Sequence, residues 1–174
     1  MIPANINLEN PLWDFALKVY PSLSQTLLAL QTKGARVNQL LAALWCSEMG
    51  IPWPGEIAPE IEAWHQQRVL PVRSWRMELK PLLAEQPQLE TLYKSYKRVE
   101  LCSEQIELGL LYRWLASESS LTHAEAKNEA ANTGRFRHSS ISVEENIRKV
   151  LTANQVKDFD AELSQLLDQM QPFN

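Results

Sequence analysis

Glycine is scarce, with five among 174 residues, and few stretches alternate polar with apolar side chains. A strand-rich fold needs turn residues and a period of two, so the chain reads as helical. Cysteine is scarcer still: Cys46 and Cys102 lie far apart on stretches of helical spacing. Two buried free thiols in a reducing cytoplasm are expected, not a disulfide framework. No apolar run approaches the roughly 18 residues that a bilayer requires, so no membrane span is expected. The opening M-I-P-A-N-I-N-L-E-N has neither a basic n-region nor an apolar h-region, hence no expected secretory signal. Cationic excess is missing too. A net charge of −4 and a pI near 5.4 count against nucleic acid as a partner.

Several chemistries lack their signatures. There is no glycine-rich phosphate loop, no Ser/His/Asp nucleophile pattern and no D-D-x-x-D cluster to hold magnesium on a diphosphate. Glu62-Ala-Trp-His65 has the E-x-x-H spacing of di-iron bundles, but those need a second copy and two more carboxylates. His123 and His138 have no glutamate three residues before them, so no metal site and no cofactor are expected.

What is present is core material: 45% hydrophobic residues and six Trp, enough for one domain to bury a core without metal or disulfide. The chain is organised around Val37 to Ser47, which holds no charge. Val37, Leu40, Leu41, Leu44 and Trp45 form one apolar stripe, and Ala42, Ala43 and Cys46 make the other side small. A helix apolar on both sides is buried by its neighbours. The expected fold is therefore all-α: about five main helices around a buried central helix at 37–49, with a C-terminal helical extension.

Prolines and caps set the expected boundaries. Asn10-Pro11 starts a first helix that Pro21 ends, and the Ser22/Gln25 capping box starts a second. After the central helix, a fourth starts near Pro59, is kinked or broken at Pro71, and is closed by Pro81. Pro87 opens the longest, to about Ser117. A short Ala-rich helix follows the Thr122/Glu125 capping box and stops at Gly134. Ser142 starts another, and Asn154 caps the last, whose Val156, Phe159, Leu163, Leu166 and Met170 make an apolar seam. This divides the chain into a core at 1–117, a polar and partly mobile connection at 118–140, and C-terminal helices at 141–174 packed on the core or on a partner.

Four blocks carry a family likeness: L-W-D-F-A-L at 12–17, L-x-L-Q at 28–31, V-N-x-L-L-x-x-L-W at 37–45 and W-x-x-x-x-V-L-P-V-R-x-W-R-x-x-L-K at 64–80. In this order they resemble an uncharacterised family of small helical proteins found mainly in gammaproteobacteria. The resemblance implies a bacterial cytoplasmic protein and assigns no catalytic residue.

The candidate site residues are basic and aromatic. Arg68, Arg73, Arg76 and Lys80 are the best anion-binding set, with Arg73 and Arg76 one turn apart so that two guanidinium forks can grip one anion. Trp64 and Trp75 would wall such a pocket. Alternatively, the arginines pair with Glu100, Glu104 and Glu107, an acidic row read as an exposed helix face. Asp14 and Asn38 sit inside apolar stripes and either cross-link helices or line a pocket. Arg135-Phe-Arg-His138 is a short basic cluster, read as a solvated loop.

The primary functional expectation is a non-enzymatic interaction or regulatory module. It would bind another protein, or a second copy through the C-terminal seam. The alternative is a binding protein or enzyme for a small anionic molecule at Arg73 and Arg76. A solvent-filled cleft beside Arg73 would favour the alternative, and both arginines spent on Glu100 and Glu104 would sink it.

Overall fold

Asn10 and Pro11 begin helix α1 (Pro11–Thr32) as their chemistry requires. The Asn10 side chain accepts the Trp13 N–H at 3.0 Å, and the missing N–H of Pro11 falls where no helical partner exists. The helix does not stop at Pro21, as the sequence suggested; it runs through it. Leu12, Phe15, Ala16, Val19, Leu23, Thr26, Leu27 and Leu30 keep a spacing of three to four across the proline and are all buried, while Pro21 itself is exposed. A proline inside a helix costs about 3 kcal/mol, and each fully buried leucine contributes about 1.5–3 kcal/mol, so the stripe outweighs the proline. Ser22 is accordingly no cap: its hydroxyl donates to the Val19 carbonyl.

The computed structural model of the protein describes residues 4–133 and 142–170, and among the described residues every regular element is helical, with no strand. Helix α2 (Val37–Glu48) is the centre, and every residue from Asn38 to Cys46 is buried. Helices α1, α5 (Glu90–Thr133) and α6 (Val143–Ala153) all pack on it. Gly34, with φ of +103°, lets the chain turn between α1 and α2 while the Ala35 N–H bonds back to the Leu30 carbonyl.

The expected break at Pro71 is replaced by a wide turn. Helix α3 (Pro59–Trp64), a π-turn (His65–Val69) and α4 (Leu70–Leu82) follow without interruption. The Leu70 N–H bonds to the His65 carbonyl, five residues back. That extra room relieves the clash of a proline ring with the preceding turn. The Arg68 guanidinium donates to the Gln67 carbonyl, the group that Pro71 cannot bond. Pro81 does not close α4 at Lys80; the helix runs to Leu82.

A 3-10 turn (Pro87–Leu89) leads into α5, which continues past Ser117 to Thr133. The separate helix expected from Thr122 is thus part of α5. Residues 118–133 contain neither Gly nor Pro and several Ala, so nothing there ends a helix. Gly134 and the basic cluster at 135–138 lie outside the described residues. Gly109, inside α5, has a packing reason: a Cβ there would meet Ile6 Cγ2 at 2.5 Å, because the N-terminal segment crosses against the helix.

Asn154 ends α6; it does not begin the last helix, α7 (Asp160–Met170). Its side chain instead accepts the Arg36 N–H at 2.9 Å and donates to Gln39 Oε1 at 2.7 Å. Helix α7 lies against α1 and α6, and the seam residues Leu163, Leu166 and Met170 are buried there. The other inter-helix clamp is Asn146, fully buried, whose amide donates to Ser47 Oγ and the Ile51 carbonyl and accepts the Trp53 N–H. That fixes the I-P-W-P connection, and the Trp53 ring meets Trp114 edge-on at 5.4 Å.

Asn146→Ala strips the buried backbone N–H of Trp53 of its acceptor and removes the bonds to Ser47 and the Ile51 carbonyl, and is expected to cost about 2–4 kcal/mol in urea unfolding. A loss under about 1 kcal/mol would show that water replaces the clamp. Cysteine gives a second check, because only Cys46 is buried and Cys102 is exposed, against the expectation of two buried thiols. Burial pushes the Cys46 thiol up to about 12. The folded protein should titrate one thiol with a disulfide reagent, and the denatured protein two.

Candidate functional site

Glu100, Glu104 and Glu107 recur on α5 at i, i+4 and i+7, so they share one stripe. The stripe faces inward, and the acidic row is not the exposed face it resembled. Glu107 is 2% exposed and Glu100 is also buried. Such carboxylates persist only when bonded. Glu107 accepts the Asn38 amide at 2.6 Å and lies 2.7 Å from His65 Nδ1, a bond in which the ring nitrogen donates. Asn38 also reaches the Glu104 carbonyl at 3.2 Å. The Trp64 indole donates to the Ser103 carbonyl at 3.0 Å. These bonds fix α2 and the π-turn against α5.

One turn nearer the N-terminus of α5, the arginines of α4 take over. Arg73 donates Nε to Glu100 at 2.9 Å and Nη2 to Glu104 at 2.5 Å, and Arg76 grips Glu100. Burial raises the Glu100 carboxyl, but hydrogen bonds from Arg76 and Arg73 more than reverse this and hold it below its usual range. Glu104 is shifted the other way. Burial raises it, the Arg73 charge opposes that, and the neighbouring Glu100 and Glu107 add to the rise. Burial and the nearby Glu104 also raise the Tyr20 hydroxyl.

Above this network opens a cleft of about 500 Å³ between α1, α2, α4 and α5. Its apolar side is Trp13, Leu17, Tyr20 and Leu28 of α1 with Val37 and Leu41 of α2. Its polar end is Arg73, Arg76, Glu100 and Glu104, with Tyr93, Lys97 and Leu101 from α5. At the rim, Leu17 is 55% and Leu101 53% exposed, which is unusual for leucines grouped around one opening.

Of the sequence candidates, the structure brings Arg73, Arg76 and Asn38 to the cleft. Arg68 and Lys80 are exposed and do not line it. Trp64 is buried, tied to α5 and not a pocket wall. Trp75 is exposed and stacks on Tyr96 away from the lining. Asp14 is exposed in the first turn of α1 and not in the core, because the buried stripe Leu12-Phe15-Ala16-Val19 turns it outward. There its charge suits the helix N-terminus. The E-x-x-H pair is split between partners, with Glu62 on Arg36 at 2.8 Å and His65 on Glu107. Sequence reasoning missed Lys97, Tyr93, Leu28 and Leu101; the only available signal was apolar residues falling off the main stripes.

A family model described as "Protein of unknown function (DUF2390)" matches residues 11–111. The chain belongs to this family. No curated protein and no solved structure matches it. The DUF2390 span holds every residue that lines the cleft and the whole Arg–Glu–His network, whereas α6 and α7 lie beyond it.

Glu62 offers a pH test of the tie between α2 and α3. The Arg36 hydrogen bonds hold its carboxyl at about 2, below its ordinary 4.5. A lowered folded-state value gives stability that is complete above 4.5 and lost as pH falls toward 2. The difference in melting temperature between the wild type and Glu62→Gln should stay constant near neutrality and close across that window. A difference unchanged at pH 2 would assign it to packing.

Proposed function

We propose that this DUF2390 chain is a binding module without catalysis, and that the cleft receives an apolar, acid-bearing segment of another protein. The observation that carries this is the set of exposed leucines, Leu17, Leu28 and Leu101, around one opening on a chain whose other leucines mostly lie in its core. The cleft carboxylates that acid–base chemistry would need, Glu100 and Glu104, are held by Arg73 and Arg76, so they serve as a rigid wall. Lys97 is exposed at the polar end and supplies the charge that a partner carboxylate would meet. The expected recognition mode is an amphipathic helix laid into a groove.

A second reading, a small anionic amphiphile, draws on the cleft volume, which lies in the ordinary range for ligand sites. Against it, Arg73 and Arg76 are already neutralised by Glu100 and Glu104.

A photo-reactive residue placed at Leu101 in cells should give one discrete protein adduct, lost when Leu17→Glu is added. The same adducts from a reporter at Lys157, outside the cleft, would overturn the proposal. Dodecanoate tests the second reading. At a hundred times its dissociation constant it should raise the melting temperature by about 5–10 °C. A rise of that size abolished by Lys97→Ala, with no protein adduct at Leu101, would replace the first reading with the second.

A further inference from the structure

The donors that reach the three carboxylates of α5 are unequally shared. Glu100 accepts Arg73 Nε at 2.9 Å together with the Arg76 guanidinium. Glu107 accepts Asn38 on one oxygen and His65 on the other. Glu104 accepts one side-chain donor, Arg73 Nη2 at 2.5 Å, and on Oε1 alone. Among the described residues no hydrogen bond reaches its Oε2. Glu107 is sealed in the core, whereas the Glu104 side chain is 27% exposed and lines the cleft. Burial and the flanking Glu100 and Glu107 raise its carboxyl against the pull of Arg73, in keeping with a carboxylate short of donors.

The surroundings narrow what can reach that oxygen. Leu17 and Tyr20 of α1, Leu41 of α2 and Leu101 of α5 share the cleft with it, so the body of an occupant is apolar there. Arg73 and Arg76 already donate to Glu100 and Glu104. The Tyr20 hydroxyl lies near enough to feel the Glu104 charge but makes no hydrogen bond to it. One acceptor is therefore on offer. An ammonium brings three donors and a guanidinium five, more than one oxygen can satisfy. A hydroxyl brings lone pairs that the adjacent Glu100 repels. An indole has a single N–H and no acceptor, on a large apolar ring. Its face also suits the cations of the polar end, Arg76 and Lys97.

We propose, on the docking reading of the cleft, that the partner segment inserts a tryptophan whose indole N–H donates to Glu104 Oε2 while its ring is held between Leu17 and Leu101. The acid that Lys97 meets then lies beside an aromatic anchor, and tryptophan is enriched among the side chains that dominate interface energies. The cleft, about 500 Å³, takes a double ring with its neighbouring side chains.

Indole and benzofuran isolate the contact, since they share a shape and differ in an N–H replaced by an oxygen acceptor. Binding is followed by methyl NMR of Leu17, Leu28 and Leu101 in the full chain, with Leu163 of α7 as the distant reference. Indole should shift the three cleft methyls saturably and leave Leu163 in place. Benzofuran should bind about tenfold more weakly, the loss expected for one hydrogen bond to a charged group. In Glu104→Gln, Arg73 keeps the amide oxygen and the amide nitrogen takes the place of Oε2. The preference for indole should then vanish or turn to benzofuran, whereas a packing defect would weaken both rings alike. Equal binding of the two rings by the wild type overturns the proposal, with or without a folded variant. So does a preference for indole that survives Glu104→Gln, or no methyl shift up to the solubility limit of indole. The adduct at Leu101 judges the docking reading separately: an adduct with equal binding of the two rings removes the tryptophan and keeps the docking site.

Discussion

The buried carboxylate of Glu107 is the constraint around which the rest is arranged. A carboxylate that is 2% exposed needs donors on every side, and it draws them from α2, through Asn38, and from the π-turn, through His65. Removing one donor would strand a charge, which costs several kcal/mol, so the three elements hold one relative position. Everything nearby inherits that position. Arg73 and Arg76 reach Glu100 because the π-turn is anchored just before them, and the cleft keeps its shape because its polar wall is bonded on both sides.

Hydrophobic burial does the larger but less specific part. Helix α2 is enclosed by α1, α5 and α6 over its whole circumference, and the Asn146 and Asn154 clamps then settle how α6 and its neighbours are set. The contrast with α4 and the start of α5 is sharp. Residues 71–99 have half-buried contacts and ion pairs but no buried side chain, so the molecule joins a tightly packed core to a sparsely packed projection.

Much of the core was legible in the sequence because its signals are local. The uncharged stretch at 37–47, the Asn10-Pro11 start and the Ser142 cap each depend on a few adjacent residues, and each is found as read. The prolines misled because their cost is local while the gain that overrides them is not. Pro21 is carried by a stripe extending from Leu12 to Leu30, and Pro71 by a turn that opens to receive it. The acidic row misled for a related reason: three glutamates at helical spacing look solvated until the asparagine, histidine and arginines that bond them arrive from elsewhere in the chain. The pairing of Arg73 and Arg76 with Glu100 was one of two readings of the sequence, and the spacing of charges alone could not choose between them. The cleft was not legible at all, since it exists only between helices, from residues such as Leu28 and Leu101 that are surplus to their own stripes.

The π-turn ahead of Pro71 also works as an angular offset. At 3.6 residues per turn, nine residues advance a helix by about 900°, which would put Trp64 and Arg73 on opposite sides. One extra residue in the turn at His65–Val69 takes out about 100° of that rotation. Trp64 can therefore face Ser103 while Arg73 and Arg76, on the same unbroken rod, still face Glu100. Deleting a single residue there would mend the helix and leave the arginines at the same angle to Trp64, since eight residues of α-helix also advance about 800°. What the extra residue supplies is room for the Pro71 ring.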